Sequence, residues 1–80
     1  MNTAELAKIL YRTAKNDVSM NGNGRILLAE VRKDLGDPQL TGEQVIAVWK
    51  EHFPCIPIIQ RTENIFLVDF GGPAFEPIID

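Results

Sequence analysis

The 80-residue sequence predicts one small α+β domain, a three-helix core followed by a C-terminal β-hairpin. Three observations carry that expectation. Apolar residues recur at helical spacing in three separate stretches before residue 54. Gly36, Pro38 and Pro54 punctuate those stretches where helices stop. After residue 55 the period shortens, and two runs rich in β-branched and aromatic residues flank a polar turn.

The first helix is expected over residues 3–15. Leu6, Ile9, Leu10 and Thr13 follow the i, i+3, i+4, i+7 rule, with Ala7 and Ala14 on the margin. Asn2 suits the N-cap, and Glu5 three residues on resembles a capping box. The opposite face carries Lys8, Arg12 and Lys15, a basic stripe. Asn16-Asp17 is expected to end the helix. Asn21-Gly22-Asn23-Gly24 is turn punctuation, because Gly and Asn tolerate positive φ. It either closes a hairpin between 18–20 and 25–27 or leads as a plain loop into one short strand.

A short second helix follows over 28–35, with Leu28, Val31 and Leu35 as its apolar stripe. Gly36 occupies the left-handed C′ position and Pro38 follows. Residues 41–53 carry the strongest local signal. Thr41 and Gln44 form a full capping box, and Leu40 with Val45 a hydrophobic staple. Val45, Ile46, Trp49 and Phe53 then face the core, and Pro54 stops the helix. Ile56-Pro57-Ile58-Ile59-Gln60 and residues 65–70 pair as a hairpin across the turn Arg61-Thr62-Glu63-Asn64. Pro57 cannot donate to a ladder, so the first of these strands belongs at an edge. The domain therefore spans 1–72. Residues 73–80 form an acidic tail whose Phe75, Ile78 and Ile79 are available to dock.

A 9.0 kDa chain buries roughly 60% of its unfolded surface, which leaves no room for a Rossmann sheet, a large cleft or a two-domain enzyme. Its 45% hydrophobic and 24% charged content is that of a globular domain. A single cysteine, Cys55, excludes an internal disulfide and suggests an intracellular, cytoplasmic setting. Neither a signal-peptide pattern nor an apolar run of about 20 residues is present, so no membrane partner is expected. The net charge of −3 is uneven: residues 1–36 hold six bases and four acids, residues 37–80 two bases and seven acids. An anionic partner would prefer the first half.

The order of elements resembles the winged-helix superfamily, a helix-turn-helix-like fold with a two-stranded wing, over residues 3–70. The segment Gly24-Arg25-Ile26-Leu27-Leu28-Ala29-Glu30-Val31 looks like that fold's first strand running into its second helix. The run from Gly24 to Phe70 is similar to LOTUS-type winged-helix domains, which are associated with RNA and RNA-handling proteins. The resemblance implies that the third helix enters the major groove while the wing touches backbone. It would turn Glu43, Gln44, Ala47, Lys50 and Glu51 outward on that helix, and Arg61 and Glu63 outward at the wing tip. Here the sequence departs from the usual pattern. Two carboxylates face one ammonium where a groove reader displays Arg or Lys. The basic stripe lies on the first helix, which in this fold supports the core from behind.

Two surfaces emerge as candidates. Lys8, Arg12 and Lys15, with Gln44, Lys50 and Arg61, form the expected nucleic-acid contact; Arg25, Arg32 and Lys33 would add to it if the fold gathers them. Ile58, Phe66, Val68 and Phe70 form the expected protein interface. Alternation sets Phe66, Val68 and Phe70 on one face of the hairpin and Ile65 and Leu67 on the other. Both faces are apolar, so the tail or a partner should cover the second. Trp49 reads as core. His52 and Cys55 are too few for a zinc site, and Ser19 lacks a G-x-S-x-G frame. Leu27 stands where a G-x-G-x-x-G phosphate loop needs its third glycine. No catalytic residue, metal, cofactor or small-molecule substrate is therefore expected. The expectation is a non-enzymatic module that binds or regulates DNA or RNA. The alternative is a protein-binding, inhibitory or homodimer-forming module that uses the hairpin and the acidic second half.

Overall fold

In the computed structural model, which describes residues 2–71, Asn2 starts the first helix, α1 (Thr3–Asn21). Its side-chain oxygen accepts from the backbone N–H groups of Ala4 (3.0 Å) and Glu5 (3.2 Å). These are two of the donors that a helix start leaves without partners. α1 runs six residues beyond the expected stop at 15. Asp17 does not break it; its carboxylate instead accepts from the Asn21 side chain (2.7 Å) and from the backbone N–H of Arg25 (2.9 Å). The true stop is Gly22, whose φ of 78° a Cβ-bearing residue rarely adopts. Because residues 18–20 are helical, they form no hairpin with 25–27. The chain takes the other expected course, a loop that enters a single short strand, β1 (Arg25–Leu27).

The next two helices fall close to their expected bounds. α2 (Leu28–Leu35) ends at Gly36, again left-handed at φ 74°. α3 (Gly42–His52) opens on the complete Thr41–Gln44 capping box. In the connection between them, the Arg32 side chain donates to the Leu40 carbonyl (2.9 Å) and holds the two helices in register. Phe53 ends α3 with its N–H on the Trp49 carbonyl (2.7 Å), one residue before the helix-breaking Pro54.

β2 (Ile58–Gln60) and β3 (Ile65–Val68) make the hairpin. The sheet has three antiparallel strands, not two, because β1 joins β3 on the side away from β2. Ile26 lies opposite Phe66, and Ile58 opposite Val68. Bonds from Leu28 N–H to the Asn64 carbonyl and from Val68 N–H to the Gly24 carbonyl (both 2.8 Å) extend the β1–β3 ladder. β2 is an edge strand, as Pro57 requires.

One core unites the elements. Leu6, Leu10 and Ala14 of α1 meet Val31 of α2, Val45 and Trp49 of α3, and Ile26, Phe66 and Val68 of the sheet. All nine are fully buried. The Trp49 ring keeps a partner there, its Nε1–H donating to the Ile56 carbonyl at 2.8 Å. The architecture is a small α+β unit of three helices and a three-stranded antiparallel sheet. Residues 72–80 lie outside the described residues, and with them the expected acidic tail and its Phe75, Ile78 and Ile79.

Candidate nucleic-acid interface

Helical geometry sets Lys8, Tyr11, Arg12 and Lys15 on one face of α1, opposite Leu6, Leu10 and Thr13. All four are exposed. Between residues 6 and 16, α1 carries no acidic side chain at all. The stripe expected from the sequence is therefore a solvent-facing cationic surface.

Tyr11 is the residue that sequence reasoning missed. It sits off the apolar stripe yet is only 36% exposed, because three aromatic rings brace it. Phe53 lies at 5.2 Å between centroids, Phe70 at 5.5 Å edge-on, and Trp49 at 6.4 Å nearly parallel. The Lys15 ammonium lies over Phe70 at 5.0 Å and over Tyr11 at 6.0 Å, within cation–π range. The signal was present in the sequence: an aromatic interleaved with bases at i+3 and i+4 in Lys8-x-x-Tyr11-Arg12-x-x-Lys15. A groove of ≈ 440 Å³ runs along this face, lined by Tyr11, Arg12, Lys15, Asn16 and Ser19.

Of the auxiliary bases, one joins the stripe. Arg25 and Arg12 line a common groove of ≈ 490 Å³, together with the carboxylates of Asp17, Glu30 and Asp34. Arg25 also shares a depression of ≈ 270 Å³ with Arg61 on the outer sheet face. Arg32 is engaged by the Leu40 carbonyl. Lys33 is exposed on α2 and lines none of these grooves.

The other expected contacts are dispersed. Gln44 is exposed, but its carbonyl oxygen accepts from Thr41 N–H (2.9 Å) and Thr41 Oγ1 (3.3 Å), so the cap occupies it. Lys50 lines a separate groove with Phe53, Pro54, Ile56, Pro57 and Ile58. The remainder of the outer side of α3 shows Glu43, Ala47 and Glu51 to solvent.

The expected protein interface needs correction. Phe66 and Val68 are fully buried, because the sheet packs that face on the helices. Ile58 and Phe70 are half-buried against the same core. The apolar residues left toward solvent are those of the opposite face, Leu27, Ile65, Leu67 and Ile59, the last 56% exposed.

No group of three or more His, Cys, Asp and Glu among the described residues is placed to hold a metal ion. His52 and Cys55 are both exposed. No buried polar side-chain atom among the described residues lacks a hydrogen-bond partner. No helix among them is long and apolar enough to cross a membrane.

No protein-family model matches this chain, and no curated protein or solved structure is significantly similar to it.

Proposed function

We propose that this chain is a non-enzymatic, winged-helix-like module that associates with nucleic acid through the outer face of α1. The order α1, β1, α2, α3, β2, β3 supports the winged-helix resemblance, which set a first strand ahead of the second helix and a hairpin after the third. The observation that carries the reading is local: three exposed cations share one helix face with no carboxylate between Lys8 and Lys15, although Glu5 stands one turn ahead of Lys8 and Asp17, Glu30 and Asp34 share the groove beside Arg12. Each can neutralise a phosphate and release a counterion. The face lies on α1 rather than α3, so the contact is with backbone, and sequence-specific groove reading by α3 is not part of the proposal.

Three phosphate contacts set a modest salt dependence, a log K against log salt slope of about −2 for single strands or −3 for B-DNA. The test is titration of labelled oligonucleotides across salt, beginning at low ionic strength, with the variant K8E/R12E/K15E beside the parent. Binding should vanish in the variant while its circular dichroism melt stays cooperative. Survival of binding after the reversal refutes the reading.

One observation favours a second reading. The outer sheet face presents Leu27, Ile59, Ile65 and Leu67 beside Arg25 and Arg61, a surface suited to a protein partner or a second copy. Sedimentation of the parent and of Ile59→Lys distinguishes it: a dimer that the lysine dissolves supports self-association through this face.

A further inference from the structure

We infer that the α1 face is a single-strand site, in which one nucleobase stacks on Tyr11 while Lys8 and Arg12 hold the flanking phosphates. This rests on the nucleic-acid reading above and narrows it to a substrate class.

Three observations carry it. First, Tyr11 is the aromatic residue exposed among the cations, and its ring is braced by Phe53, Phe70 and Trp49. A ring already immobilised gives up little freedom when a base stacks on it, so the contact is pre-organised. Second, Lys8 and Arg12 are one helical turn apart with Tyr11 between them in sequence. Their Cβ atoms are then about 5–6 Å apart, which brackets a single nucleotide. Third, the Lys15 ammonium lies over the Phe70 ring at 5.0 Å and over the Tyr11 ring at 6.0 Å, on the groove that Tyr11, Arg12, Lys15, Asn16 and Ser19 line. A base stacking on Tyr11 takes the place of this ammonium, which swings on its flexible stem to the strand's phosphate.

A duplex cannot use this arrangement. Its bases are stacked on one another and offer no open π-face, so it would meet the cations alone. A single strand offers base and phosphate together, and aromatic stacking beside a cationic track is how such strands are held without sequence preference. Free DNA and RNA strands share this chemistry.

The experiment measures anisotropy of labelled oligo(dT), oligo(U) and a duplex, each about ten nucleotides long, at low salt. The parent should bind the single strands at least about tenfold more tightly than the duplex. Tyr11→Ala should weaken single-strand binding by about tenfold and leave the duplex unchanged, while Tyr11→Phe retains the parent affinity. Tyr11→Leu preserves apolar bulk against Trp49 and Phe53 and should lose as much as alanine, which guards against a folding artefact. Similar affinity for oligo(dT) and oligo(U) supports a site that ignores the 2′-hydroxyl; preference for one also supports the site and names its sugar. Equal binding of strand and duplex, with the Tyr11 variants silent but K8E/R12E/K15E inactive, overturns the single-strand inference alone. Absence of binding to every oligonucleotide overturns this inference and the nucleic-acid reading together.

Discussion

The first and third helices bury one side each in the same core, yet their solvent sides have opposite character. α1 shows Lys8, Arg12 and Lys15 with an aromatic ring among them; α3 shows Glu43 and Glu51 against Lys50. Gln44, the polar residue on α3 best suited to base contact, has its carbonyl oxygen in the N-terminal cap. Fold analogy alone would send nucleic acid to α3. The charges favour α1, and the proposed contact follows them. The difference teaches that the order of helices and strands fixes which surfaces exist, while side-chain chemistry decides which of them a polyanion can approach.

The variant with the largest expected effect removes what joins the two helices. Trp49 of α3 is fully buried and stands 6.4 Å from the Tyr11 ring of α1. Trp49→Ala should cost about 3–5 kcal/mol in denaturant unfolding. That is a large share of the about 4–12 kcal/mol expected for 80 residues. It should also slacken Tyr11, so single-strand affinity falls with stability if the bracing argument holds. A smaller effect separates the two outer faces directly. Arg12→Ala should flatten the single-strand salt slope by about 0.7, whereas Glu51→Gln should leave the slope unchanged and raise affinity slightly. Equal responses to the two changes would erase the contrast between the helices. The smallest effect isolates a purely structural feature of α3. Thr41→Ala removes the capping oxygen and should cost about 1 kcal/mol in thermal or chemical melts, with oligonucleotide affinity unaltered.

The parts legible in the sequence were those whose causes are local. Gly36 and the Thr41–Gln44 box bound α2 and α3 within a residue of expectation, because a left-handed glycine and a reciprocal cap act over four residues. The hairpin turn at 61–64 and the edge position of β2 followed from its polar residues and from Pro57. The end of α1 departs from expectation for a physical reason. Asn16 and Asp17 weaken a helix when their side chains compete for its backbone. Here Asp17 bonds instead to the distant Arg25 N–H and to Asn21, so the helix continues to Gly22. The expected interface failed at Phe66 and Val68 because alternation identifies two faces of a strand without saying which one meets the helices. The cationic stripe was legible from spacing, but the bracing of Tyr11 was not. It needs Phe53 and Phe70, which lie 42 and 59 positions further along the chain.

Taken alone, the residue order settled where helices begin, where two of them end, and which side of α1 carries positive charge. Capping, turn chemistry and 3.6-residue periodicity act within a few residues, so they need no folded partner. Only the tertiary structure decided that β1 pairs with β3, that Phe66 and Val68 turn inward, and that Tyr11 is clamped among the aromatics beside Lys15. Those outcomes depend on which apolar surfaces meet. Burial is non-directional and proportional to area, so it is resolved by the whole packed core and not by any one segment.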